Sequence, residues 1–118
     1  MININVFYNR QDQIVGFEVQ GHAMGPDRVD QFDLVCCAVS VLTITTVNGI
    51  TDYLHVPALE LRVDNGWLKF LLSVNDDGTL AQDPSRVSQI DALLGSMVLG
   101  LEEIAQDYPK FIQLKKRR

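Results

Sequence analysis

The sequence predicts an α+β fold: a two-layer sandwich in which two helices pack against a mainly antiparallel sheet, in the order ββαββαβ. Three observations predict it. The stretch LELRVDNGWLKFLLS (59–73) alternates apolar and polar residues on both sides of Asn65-Gly66, the pattern of a hairpin. Two long stretches, one from Asp33 to about Tyr53 and one opening at Asp83-Pro84, run without turn signals and exceed the length of a strand. Three short β-branched and aromatic runs complete the sheet, two near the N-terminus and one near the C-terminus. A chain of 118 residues suits one compact domain, 1–118.

INVFY, extended to Tyr8, and IVGFEVQG (14–21) read as the first two strands, with NRQDQ as the turn between them. In the second strand Phe17 and Val19 alternate with Glu18 and Gln20, as expected of a half-buried strand. HAMGPDRVDQF (22–32) has no periodicity and reads as a long loop, a length often given to function. From Asp33 onward propensity and length disagree. VLTITTV favours a strand because β-branched side chains lose rotamer freedom in a helix. Length decides for a largely buried helix, with the Asp33 carboxylate as its N-cap. Asn65-Gly66 is expected to supply positive φ at the hairpin turn. Asp83 and Pro84 fit the cap and first turn of a second helix, whose apolar residues Val87, Ile90, Leu94, Met97, Leu101 and Ile104 recur every three or four positions. Pro109 ends it. KFIQL (110–114) reads as a final edge strand, and the terminal KKRR as a solvated tail.

Net charge is −5 and the pI near 4.8, which argues against a sequence-independent grip on nucleic acid and permits attraction to a basic protein or peptide. The charge-free run from Leu34 to Ile50 carries three Thr, a Ser and an Asn, short of the ~18 apolar residues of a membrane span. MININVFYNR lacks the basic start, apolar run and cleavage site of a signal peptide, so cytoplasmic residence is expected.

The two cysteines, Cys36 and Cys37, stand side by side. A disulfide between them is excluded by reach, since neighbouring Cα atoms lie ~3.8 Å apart and disulfides need roughly 4.4 Å or more. No CxxC spacing exists, and neither a metal nor a cofactor is expected. Core packing is one reading of the pair. The other starts from position: with Asp33 as cap, Cys36 falls in the first helical turn, where the dipole and unpaired N–H groups favour a thiolate and an oxyanion. His22, at a strand end just before the loop, is within range to serve as proton partner. Adjacent helical residues project about 100° apart, so with Cys36 towards His22, Cys37 turns elsewhere, towards the sheet. Ser40 lies one turn beyond Cys36 on the same face. His55 belongs near the negative end of the first helix, and Phe32, Trp67 and Phe70 are read as core.

Gly-His-Ala at 21–23, then Asp-Leu-Val-Cys-Cys-Ala-Val-Ser at 33–40, resembles the signature of the ribosomal-processing cysteine protease (Prp) family. That signature is Gly-His-Ala followed by Asp-aliphatic-Val-Cys-Ala-small-x-Ser. Element order and length are also similar, so the resemblance spans the whole chain. It departs at Cys37, where the family commonly has Ala. The resemblance implies His22 as catalytic histidine and Cys36 as nucleophile, with Asp33 and Ser40 in supporting positions. It further implies an endopeptidase that removes an aromatic-rich N-terminal leader from a large-subunit ribosomal protein, acts in ribosome assembly, and forms a homodimer. The alternative from another class is a non-catalytic ribosome-assembly adaptor sharing the fold, in which Cys36 is inert packing. A thiol redox sensor is a third reading.

Overall fold

A computed structural model describes residues 1–21 and 31–118, with the side chains of 31–33 excepted. The order is β1 (Ile2–Tyr8), β2 (Ile14–Gln20), α1 (Gln31–Asn48) continued by a π-helical turn (Gly49–Tyr53), β3 (Glu60–Asp64), β4 (Trp67–Leu71), α2 (Pro84–Asp107) and β5 (Ile112–Arg117). The five strands form one sheet in the order β3-β4-β2-β1-β5. All pairings are antiparallel except β1 with β5, which is parallel, so the sheet is mixed.

One face of the sheet carries the core. Ile2, Ile4, Val6, Phe17, Val19, Leu68 and Phe70 are buried there beneath the inner faces of α1 and α2. Phe17 and Phe70 are cross-strand partners with ring centroids 5.8 Å apart, a favourable aromatic separation. From α2 come Ile90, Leu94, Met97, Val98 and Leu101. The capping predicted for this helix is present: the Asp83 carboxylate accepts the Arg86 N–H at 2.9 Å, with Pro84 in the first turn. Beyond β4, the Asp77 carboxyl lies below its ordinary range because the Thr79 hydroxyl and N–H both donate to it.

Three details differ from the sequence expectations. Only Gly66 of the Asn65-Gly66 turn takes positive φ, at 79°. Trp67 is half-buried on the opposite, open face of the sheet, where its indole N–H donates to Glu18 at 2.9 Å and the Arg62 guanidinium sits 4.2 Å from the ring centroid. The basic cluster is no tail: Lys115, Lys116 and Arg117 are strand residues opposite Asn5, Val6 and Phe7, and Arg117 donates to the Asn5 side chain at 2.9 Å. Lys116 pairs with Glu102 and Arg118 with Asp12. Parallel pairing to β1 supplies the hydrogen bonds that charge repulsion alone would have argued against.

The β-branched run accommodates three of its threonines by bonding them to its own backbone. The hydroxyls of Thr43, Thr46 and Thr51 donate to the carbonyls of Val39, Leu42 and Val47 at 2.8, 2.7 and 3.0 Å, the i−4 back-bonding that lets Thr enter an apolar helix. Only one face of α1 is buried. Leu34, Val41 and Ile44 are exposed by 67, 60 and 42% on the other. The run Leu34–Tyr53 is thus long and apolar enough by composition to cross a membrane. Its inner face, however, is part of the protein core.

Candidate active site

β2 ends just ahead of the Gly-His-Ala motif, and α1 carries Cys36 and Ser40. Gly21 ends β2 with φ at 90°, and a side chain there would meet the Met1 carbonyl at 2.4 Å. Its N–H donates to the Gly66 carbonyl at 2.9 Å. Only glycine fits this left-handed, crowded position, so the chain leaves the sheet towards His22 from a fixed point. His22 itself lies outside the described residues, as do the rest of loop 22–30 and the side chains of Phe32 and Asp33.

The first helix starts earlier than Asp33. With α1 beginning at Gln31, Asp33 is its third residue and has helical backbone, so it is not the N-cap. Cys36 is accordingly the sixth residue, one turn further from the end, where the dipole has largely faded. What survives is direction. Helical side chains lean back over the preceding turn, so the Cys36 side chain points towards the helix start.

Cys36 has no solvent exposure and belongs to the core cluster with Val35 and Val39. Cys37 is exposed, contrary to the expectation that it turns to the sheet. The 100° offset was right and its assignment reversed: the inner face of α1 takes Cys36, Val39, Thr43, Val47 and Ile50, leaving Cys37 to the outside with Leu34 and Val41. Ser40 is half-buried one turn beyond Cys36. A thiol with no exposure cannot reach a peptide carbonyl in this arrangement.

His55 stands at the far end of the helical run, exposed and in the left-handed conformation with φ at 58°. It follows Leu54, whose N–H donates to the Gly49 carbonyl at 2.9 Å, while the Val56 N–H donates to the Ile50 carbonyl at 3.0 Å. It is the residue at which the helix closes, and a backbone role for it was missed in the sequence. Among the described residues its imidazole makes no hydrogen bond or ion pair. The rest of α1 and the π-helical turn lie between Cys36 and His55 and hold the two apart. Among the described residues no cluster of His, Cys, Asp and Glu could hold a metal ion.

Comparison with solved structures agrees with this architecture. The chain is similar to SMU.848 from Streptococcus mutans, with a TM-score of 0.77 and 26% identity over 99% of this chain and 97% of that one. It is also similar to an essential ribosomal processing protease Prp from S. aureus, solved in complex with a substrate peptide, with a TM-score of 0.75 and 19% identity over 99% and 100% of the two chains. The same S. aureus protein with a covalently linked product peptide gives a TM-score of 0.74 and 20% identity over the same shares. No match was found among curated proteins. The model of the cysteine protease Prp family matches residues 1–113, a span that holds both predicted motifs and every element up to the start of β5, and by that match this chain belongs to the Prp cysteine protease family.

Proposed function

We propose that this protein is a ribosomal-processing cysteine endopeptidase that removes the N-terminal extension of a large-subunit ribosomal protein of the L twenty-seven type. It acts in the cytoplasm, as a homodimer, on a substrate with an aromatic-rich leader. The observation that carries the reading is the family match over residues 1–113 with Gly-His-Ala and Asp-Leu-Val-Cys intact inside it. The S. aureus relative, a ribosomal processing protease solved with a substrate peptide, supports the substrate class. Apolar side chains exposed along the outside of α1 support association of two copies.

In this mechanism the Cys36 thiolate attacks the carbonyl carbon of the scissile bond, and the carbonyl oxygen becomes an oxyanion. Protonated His22 gives its proton to the departing amine as the C–N bond breaks, leaving a thioester on Cys36. Neutral His22 then takes a proton from water, whose oxygen attacks the thioester; the acid product leaves and the thiol is restored. Asp33, in the first turn of α1, and Ser40, one turn beyond the thiol, are supporting residues. No metal or cofactor takes part.

The test is cleavage of the precursor ribosomal protein followed by intact mass. His22→Ala should abolish cleavage without unfolding, whereas His55→Ala should keep most of it. Cleavage by the His22 variant together with a dead His55 variant would reverse the assignment. If no variant and no wild-type protein cleaves, the adaptor reading takes its place.

A further inference from the structure

The two edges of the sheet are finished differently. At β5 the edge carries Lys115, Lys116 and Arg117, the kind of charge that keeps an edge from pairing with another strand. At β3 the charges Glu60, Arg62 and Asp64 all lie on the open face of the sheet, and its core face carries none. Leu59, Leu61 and Val63, exposed by 66, 46 and 63%, precede or lie in this edge strand. Leu61 and Val63 are opposite Phe70 and Leu68, so they share the core face of the sheet yet lie beyond the cover of the helices.

The backbone of the same edge is open. Asp64 and Trp67 flank a two-residue turn and are paired, which makes them a hydrogen-bonded pair. The alternation then turns the N–H and C=O groups of Arg62 inward to β4 and those of Leu61 and Val63 outward. At the start of the strand the Leu59 N–H donates to the Leu71 carbonyl at 2.9 Å, opposite Glu60, a bulge that ends the free edge there. The open strip therefore runs towards Asp64 and the Asn65-Gly66 turn. That turn holds Gly21, the residue before His22.

We propose that the outer edge of β3 docks the extended apolar leader of the substrate, which adds to the sheet as a further strand. Main-chain bonds to Leu61 and Val63 hold its backbone, and its alternate apolar side chains lie against Leu59, Leu61 and Val63. The chain of the substrate then leaves the edge at the end where Gly21 is pinned and His22 begins. This rests on the peptidase reading above and names where the same enzyme grips its substrate.

The test measures binding apart from cleavage. In the Cys36→Ser background, a fluorescent leader peptide of the precursor is titrated by anisotropy against protein with β3 intact and with Val63→Pro. Proline is tolerated at an edge position whose N–H points outward and removes that donor. Affinity should fall about tenfold or more, the scale of a hydrogen bond left unmade in an interface. The same leader N-methylated at alternate residues should lose a similar factor against the unaltered edge in one of its two phases, with no change to the protein. In the active enzyme Val63→Pro should raise KM and leave kcat within a factor of two. Affinities within twofold for all these pairs, or no leader binding at all, overturn the proposal. So does a dimer that Val63→Pro dissolves at unchanged leader affinity, which would make the edge a contact between two copies. Failure of the peptidase reading shows separately, as wild-type protein that binds the leader through β3 and cuts nothing.

Discussion

The inner and outer faces of α1 are made of the same kinds of residue and come to opposite ends. Inside, Cys36, Val39, Thr43, Val47 and Ile50 are buried in the core. Outside, Leu34, Cys37, Val41 and Ile44 meet solvent. No charge separates the two faces anywhere between Asp33 and Asp52. On α2, by contrast, the buried apolar residues form one stripe, and Arg86, Asp91, Glu102 and Glu103 lie off it together with the exposed Leu99. The difference teaches that composition alone cannot orient α1, and that a thiol's place on it decides its chemistry.

The largest effect separates the two faces by function. Cys36→Ser should lower precursor cleavage by about a thousandfold or more, because a hydroxyl at this site lacks the thiol's nucleophilicity at neutral pH. Leader binding should persist. Retained cleavage at even a tenth of the wild-type rate would remove Cys36 from the chemistry and leave it as packing.

The next effect separates them by stability. Val39 has no exposure, and Val39→Ala should cost about 2 kcal/mol in urea unfolding through lost burial and the cavity left behind. Val41, 60% exposed, should cost under about 0.5 kcal/mol when changed to Ala. Equal losses would mean that both faces are covered in solution. If the Val41 loss appears only at high protein concentration, the outer face lies between two copies, and the comparison sharpens into an interface.

Much of this was legible before the structure, and the misses share one cause. The hairpin, the six apolar positions of α2 and its Asp83 cap were readable because periodicity and capping agree there. In α1 they do not. Apolar residues all round its axis give no phase, so the face towards the sheet was assigned to the wrong cysteine. The start was also displaced, since Asp27, Asp30 and Asp33 recur every three residues and each carries cap chemistry. The KKRR segment misled for a different reason: charge reads as solvent, whereas an edge strand keeps half its surroundings wet and can carry both. Of the proposed site, the sequence placed Cys36 on a helix and His22 after a strand. The structure adds the pinned Gly21 and the burial of the thiol, and neither is written in local pattern.

Charge gives a smaller and separate effect. If the acidic enzyme steers the basic substrate proposed above, the second-order cleavage rate should fall several-fold as salt rises from low ionic strength. A flat response, with the fold intact, would remove steering and leave the roles of Cys36 and His22 untouched.

The smallest effect belongs to Cys37, and it returns to the two faces. Exposure and reactivity are usually equated, which would make Cys37 the working thiol and Cys36 a core residue. The proposed chemistry says otherwise, because a nucleophile needs a proton partner and shelter from water during acyl transfer more than it needs permanent exposure. Iodoacetamide at neutral pH should therefore label Cys37 first, with Cys36 following only as its cover opens. Cleavage should survive the first modification and disappear with the second, read as activity against label position by peptide mass mapping. Cys37→Ala should cleave within about a factor of two of wild type, and its stability should change by under about 0.5 kcal/mol, as for other exposed positions. Should activity instead fall in step with the Cys37 label, the outer face of α1 would be the working one.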